Sequence, residues 1–209
     1  MTNEKILQLL YAAKTGTDAE PLEKLICEFE TRVRADAAPR GLQTIIKSFP
    51  RSWAAHTRCH KDSRPVLQYG DTQDWEGKQY QFVTDTYMLI GFAVPRLQEA
   101  KDAKAGNFPP VTRVIPTLEA LEGKPEIIIT LADCKAAIAK AKADDPKEAR
   151  RCCPITIKGV TINALLAEKA LKWTGSTEIS FRQTGDLKPL RGTSAHGDVV
   201  VLMPVRVAR

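Results

Sequence analysis

Asp198-Val-Val-Val-Leu-Met-Pro-Val-Arg-Val207 is the stretch from which the rest of the chain can be read. Four apolar residues, three of them β-branched, run into Met203-Pro204, which predicts a buried strand with an abrupt stop. Proline has no N–H to give a sheet ladder, so Pro204 belongs at an edge or an end of that strand. Upstream, strands are predicted over 177–183 and 189–193, behind a helix over 164–173 that Gly175 ends. Pro154-Ile-Thr-Ile-Lys-Gly-Val-Thr-Ile-Asn163 reads as strand, turn, strand. An alanine- and lysine-rich helix over 132–143 follows a strand over 126–131 and stops at Asp144-Asp-Pro146.

The first half has its own pattern. A short helix is predicted over 42–49, then a polar stretch to residue 63. A strand begins in Arg64-Pro-Val-Leu-Gln-Tyr-Gly70, and Asp74-Trp-Glu-Gly-Lys78 supplies a hairpin turn. Strands over 79–83 and 88–94 flank Thr84-Asp85. Residues 96–107 are polar and helix-prone up to Gly106, a natural C-cap. Before all this, Ile6, Leu9, Leu10 and Ala13 fall at helical spacing. Thr17 or Asp18 can cap a second helix whose Leu22, Leu25, Ile26, Phe29 and Val33 make one apolar stripe. Residues 1–40 therefore read as a helical hairpin, either packed on the domain behind it or offered to a partner. This patterning gives an α+β fold with antiparallel sheets.

The chain has 209 residues, 43% of them hydrophobic, and a net charge of +6. The excess lies after residue 40, where 25 basic side chains face 18 acidic ones. Such a balance suits a polyanion partner but does not require one. No apolar run is long enough to span a bilayer, and Met1-Thr-Asn-Glu-Lys5 opens no signal peptide, so a cytoplasmic protein is expected. Five cysteines without a repeating spacing suit reduced thiols. His56-Thr-Arg-Cys59-His60 and Cys152-Cys153 invite a metal reading, but no second pair has finger-like spacing. The sequence predicts neither a metal nor another cofactor, and no Gly-rich phosphate loop is present.

Met203-Pro-Val-Arg-Val207 after a buried strand resembles the ending of bacterial DNA polymerase III β subunits, the sliding clamps. Arg64-Pro-Val-Leu-Gln-Tyr-Gly70 resembles the clamp segment Arg-Pro-x-Leu-x-Gly. Phe82-Val-Thr-Asp-Thr-Tyr-Met-Leu89 resembles Val-Ala-Thr-Asp-Gly-His-Arg-Leu, with Thr86, Tyr87 and Met88 in place of Gly, His and Arg. Phe108-Pro-Pro-Val-Thr-Arg-Val-Ile-Pro116 is similar to the linker Phe-Pro-Asp-Tyr-Arg-Arg-Val-Leu-Pro, and Ile162-Asn163 stands for Phe-Asn. The resemblance covers roughly 42–207. In a full-length clamp half a domain separates the Thr-Asp motif from the linker, and here a short polar segment does. The chain resembles a clamp lacking that half-domain and the first domain.

The resemblance implies a DNA-clamp-like fold with helices on one face of the sheets, an extension over 1–40 and a clamp-like domain over 41–209. That domain divides into a first half over 42–94, a linker over 95–116 and a second part over 117–209. It implies a non-catalytic protein with a hydrophobic cleft for peptides of polymerases and repair enzymes. By carry-over the cleft uses Arg64, Leu67, Thr84, Thr86, Tyr87, Met88, Leu89, Pro109, Arg113, Val114, Asn163, Leu166, Val201 and Met203. For Leu67, Leu89 and Val201 an ordinary core role is the competing reading. Lys135, Lys140, Lys142, Lys147, Arg150 and Arg151 either face DNA phosphates, as helices inside a clamp ring do, or form a solvated face. Two functions follow: a processivity factor that oligomerises into a ring around duplex DNA, or a non-ring module that keeps the cleft and recruits or competes for replication proteins.

Overall fold

The computed structural model describes residues 40–59, 65–98 and 108–206. The chain divides into two units, Met1–Thr44 and Ile45–Arg209, and the account that follows concerns the second. The hairpin expected over 1–40, apart from Arg40, and the candidate Arg64 lie outside the described residues, as does most of the polar segment 96–107.

Among the described residues nine strands form two antiparallel sheets. β1 (Asp71–Trp75), β2 (Lys78–Thr84) and β3 (Met88–Phe92) come from the first half. β4 (Ile127–Thr130), β5 (Pro154–Ile157), β6 (Val160–Asn163), β7 (Glu178–Gln183), β8 (Leu190–Thr193) and β9 (Val199–Leu202) come from the second. The large sheet runs β1-β2-β3-β9-β8-β7-β4, and β5-β6 is a separate ribbon. At its centre β3 pairs with β9, Met88 opposite Leu202 and Leu89 opposite Val201. Residues 71–92 and 178–202 thus become one sheet whose strand order mirrors outward from that seam. The longer helices among the described residues are α1 (Arg40–Cys59), α2 (Leu131–Asp144) and α3 (Ala164–Thr174).

Strand side chains alternate between faces, and here both faces are buried. Val83, Met88, Ile90, Phe92, Val200 and Leu202 point to the helices, where Phe49, Trp53, Ile138, Leu171 and Trp173 join them in the main core. Phe82, Leu89, Val199 and Val201 point the other way. They pack with Trp75, Tyr80, Val111 and Ile115, so the segment from Phe108 to Ile115 lies on that face.

Three local readings differ from the structure. The helix predicted over 42–49 extends through Pro50 to Cys59. Proline inside a helix costs about 3 kcal/mol, but Phe49 and Trp53 are fully buried on the face shared with His56, at roughly 1.5–3 kcal/mol for each large apolar side chain. Pro65–Gln68 is a 3₁₀ turn rather than a strand; Trp53 Nε1 donates to the Leu67 carbonyl at 3.0 Å and holds it. The strand starts only at Asp71, and its hairpin turns on Glu76 and Gly77, both at positive φ (48° and 74°), as a two-residue primed turn requires. Beyond β9, Pro204 lies past the end of the strand.

Two ion pairs, one buried and one with its carboxylate partly exposed, tie together segments far apart in the chain. Arg96 lies over the Phe92 ring, donates to the Trp173 carbonyl and pairs with Asp198 at 3.0 Å. Arg191 grips both carboxylate oxygens of Glu76, at 2.7 and 2.6 Å, and donates to the Pro116 carbonyl.

Candidate functional site

The turn between β2 and β3 is built around one carboxylate. Asp85 Oδ1 accepts the backbone N–H groups of Tyr87 and Met88, at 3.0 and 2.7 Å. Thr84 Oγ1 donates to the Met88 carbonyl and accepts the Thr86 N–H. These bonds hold Thr86 at φ 76° and leave Tyr87 56% exposed. Asp85 Oδ2 meets His56 Nε2 at 2.5 Å, and His56 Nδ1 meets Lys169 Nζ at 2.8 Å. Every atom is matched when Nε2–H donates to the carboxylate and Nδ1 accepts from the ammonium. Burial alone pushes the Asp85 carboxyl up; the His56 hydrogen bond, with the Met88 and Tyr87 N–H groups, outweighs it and holds the group below its usual 3.8.

This chain of contacts ends in a groove of about 600 Å³. Leu165, Leu166 and Lys169, at i, i+1 and i+4 of α3, face it together with His56 of α1. Tyr87 and the segment 203–206 supply one side. That segment is stitched at both ends: Met203 N–H donates to the Tyr87 carbonyl at 2.9 Å and Val205 N–H to Thr161 at 2.8 Å. The other side is Arg150, Arg151 and Cys152. Asn163 fixes that wall, because its Oδ1 caps α3 at Leu165 N–H and also accepts from Cys153 N–H, both at 3.1 Å.

The lining combines an apolar floor (Leu165, Leu166, Met203, Pro204, Val205) with Arg150, Arg151, Lys169 and Arg206, and none of the described lining residues is a carboxylate. Such a surface is suited to binding. A His–Asp pair can serve as a general base when its second nitrogen faces a nucleophile, but here that nitrogen faces Lys169. Burial, with Glu148 nearby, pushes the Cys152 thiol up, and Cys134 is pushed up to about 11. These thiols stay protonated at neutral pH. Among the described residues no group of three His, Cys, Asp or Glu side chains could hold a metal ion, and no helix is long and apolar enough to cross a membrane.

Of the candidate cleft residues, Tyr87, Asn163, Leu166 and Met203 line the groove. Thr84 is buried in the turn and Thr86 is exposed at its tip. Met88 packs in the main core, and Leu67 is buried in the 3₁₀ turn. Leu89 and Val201 belong to the cluster on the opposite face of the sheet. Pro109, Arg113 and Val114 lie on the segment that covers that face, Arg113 exposed and the other two half-buried. Of the candidate DNA contacts, Lys135, Lys140, Lys142 and Lys147 are exposed on and after α2, while Arg150 and Arg151 border the groove. Sequence reasoning missed His56, Lys169 and Leu165 as groove residues. The i, i+4 spacing of Leu165 and Lys169 on a capped helix was the available signal, whereas nothing in the sequence places His56 beside them.

The class of the molecule is thus an α+β domain with an antiparallel, helix-backed sheet and a groove at one end of its central seam. Its fold is similar to solved DNA polymerase III β subunits. With the Thermotoga maritima β subunit the TM-score is 0.49 at 13% identity, over 71% of this chain and 60% of that one. With the Bartonella birtlesii sliding clamp it is 0.49 at 16% identity, over 70% and 60%. With the Bacillus subtilis sliding clamp it is 0.47 at 16% identity, over 71% and 59%. The likeness thus spans about three-fifths of the length of those chains. No family model and no curated protein matches the sequence.

Proposed function

We propose that this chain is a non-catalytic interaction domain that holds a short segment of a partner protein in the groove between α3, the β2–β3 turn and residues 203–206. The observation that carries the reading is the lining: an apolar floor of Leu165, Leu166, Met203, Pro204 and Val205, edged by polar groups that can fix a backbone. Aliphatic surface and a pliable methionine accept Leu or Phe anchors. The sequence resemblance supplies the fuller reading, that the partner is a DNA polymerase or another replication protein. A fluorescence-anisotropy titration with a labelled Gln-Leu-x-Leu-Phe-type peptide tests the groove. Micromolar binding, roughly −8 kcal/mol, is expected, with Met203→Asp abolishing it and Lys142→Ala leaving it unchanged. Wild-type affinity in a folded Met203→Asp would overturn the assignment.

A processivity role on duplex DNA is the second reading, and the exposed Lys135, Lys140, Lys142 and Lys147 favour it. Its electrostatic support is thin: residues 131–151 carry six basic side chains against four acidic ones. Ring formation needs a homo-oligomer, so size-exclusion chromatography with light scattering separates the two forms. A monomer that releases closed circular and linear DNA alike leaves the non-ring module, which recruits or competes for replication proteins.

A further inference from the structure

One side chain does most to hold the groove wall that carries Arg150, Arg151 and Cys152. β5 and β6 pair as far as Pro154 opposite Asn163, and Pro154 has no N–H with which to carry the ladder on. The residues before it are held by other means. Ala164 N–H, the first of α3, donates to the Cys153 carbonyl at 2.8 Å, and the Asn163 side chain supplies the rest. Its Oδ1 accepts from Cys153 N–H and Leu165 N–H, both at 3.1 Å, and its Nδ2 reaches the Arg151 carbonyl at 3.4 Å. Two backbone donors converging on one atom fix which end of the amide is the oxygen. They also occupy both of its lone pairs, so Asn163 keeps no acceptor for a ligand.

The segment held in this way is short and turned on itself. Arg151 and Cys152 N–H both return to the Glu148 carbonyl, at 2.8 and 3.0 Å, and Cys153 Sγ donates to the Ala149 carbonyl at 3.2 Å. Released from Asn163, the turn would keep these bonds and retain one printed tie to α3, the bond from Ala164 N–H. It could then move as a unit away from residues 203–205 on the other side of the groove. Sequence resemblance counts Asn163 among the ligand contacts, and the geometry points to a different role. Resting on the peptide-binding reading above, we propose that Asn163 is a positioning residue. It sets the place of residues 150–152 against α3, and so the width of the groove, and does not itself read the partner segment.

The test uses the full chain and two neutral labelled peptides, one of the Gln-Leu-x-Leu-Phe type and one with Ala in place of its Gln. Asn163→Ala should weaken both by the same factor, on the order of tenfold, because the wall is in place for only part of the time. The ratio between the peptides should stay as in wild type, since a side chain that does not touch the Gln shows no coupling to it. Asn163→Asp keeps an oxygen for both N–H groups and loses the Nδ2 donor, and it should bind both peptides within about twofold of wild type. Cys153, fully buried, reports the wall without a ligand. Its alkylation by iodoacetamide, located by mass spectrometry, should quicken severalfold in Asn163→Ala and return to the wild-type rate in Asn163→Asp. Cys134, buried in α2, should stay unlabelled in all three, which separates a moved wall from an unfolded chain; if it labels in Asn163→Ala, the affinity of Asn163→Asp decides by itself. A peptide ratio that changes in Asn163→Ala, an affinity lost in Asn163→Asp with Cys153 still protected, or unchanged Cys153 protection in Asn163→Ala overturns the positioning role and leaves the groove standing. Failure of wild type to bind either peptide overturns the groove reading and this inference with it.

Discussion

Replacing Asp85 by alanine tests the central structural device of the site. The carboxylate accepts the His56 Nε2–H at 2.5 Å, the Met88 N–H at 2.7 Å and the Tyr87 N–H at 3.0 Å. Hydrogen bonds to a charged acceptor contribute about 1.5–3 kcal/mol each, and a buried donor left unpaired costs about 1–3 kcal/mol. The three are not additive, since they share one group; a total near 3–5 kcal/mol is the scale expected. A domain of this size has about 5–15 kcal/mol in all, so Asp85→Ala should shift a urea midpoint far to the left. The pH dependence carries a sign. The folded carboxyl titrates below its usual 3.8, so its contribution is complete above that value and is lost as pH falls through the lower folded one. The gap between wild type and Asp85→Asn should accordingly be wide at neutral pH and close on acidification. A loss under about 1 kcal/mol for Asp85→Ala, or a gap that does not change with pH, would refute the role assigned to this carboxylate.

Three further outcomes are expected. Gly192→Ala sets a Cβ 2.5 Å from Ile179 Cγ2 and 2.8 Å from the Ser180 carbonyl oxygen, and since that carbonyl belongs to the paired strand it cannot yield; a loss above about 2 kcal/mol should appear as a lowered Tm. Arg191→Met removes the guanidinium, whose Cζ lies 5.5 Å from the Trp75 ring centroid, and strands Glu76, whose side chain is 33% exposed and can recover some hydration; a cost of about 2–3 kcal/mol in urea melts is expected, below that of breaking a fully buried pair. Leu89→Asp buries a charge in the second cluster and should unfold the domain, while Met203→Asp, half-buried at the groove, should stay within about 1 kcal/mol of wild type in denaturant titration.

The sequence showed the elements better than it showed what they meet. Hydrophobic alternation places β2 and β3 to within a residue or two, whereas the last strand, read over 198–207, stops at Leu202; the Glu76-Gly77 and Lys158-Gly159 turns are legible because only a primed turn wants two positive φ values in a row. Gly175 at φ 70° ends α3 where a C-cap glycine should. The helix through Pro50 was not legible, because local propensity opposes it and the burial of Phe49 and Trp53 decides it. The His56–Asp85–Lys169 contacts were equally hidden. Asp85 lies 29 residues from His56, and His56 lies 113 from Lys169, and no period in a single sequence couples positions so far apart.

The two-sided burial of the sheet explains why the candidate residues separate. In a strand, neighbours in sequence point to opposite faces, so a run such as Thr84 to Leu89 cannot deliver all its side chains to one cleft. Met88 goes to the helices and Leu89 to the far face. Val201 and Met203 should share a face by the same period, but the strand ends at Leu202, and Met203 is turned into the groove by its N–H bond to Tyr87. The Phe108–Pro116 pattern has a structural use that its sequence did not suggest. Val111 and Ile115 pack on the second face, and Val111 N–H is held by the Gln73 side chain at 3.3 Å. A segment under that constraint keeps its apolar spacing whether or not a ligand binds nearby. The groove therefore depends on residues beyond the regular strands, the turn at Asp85 and the tail after Leu202, and on the cap of α3. Those are the places where the chain leaves its ladder and a side chain can be aimed independently of the sheet's alternation.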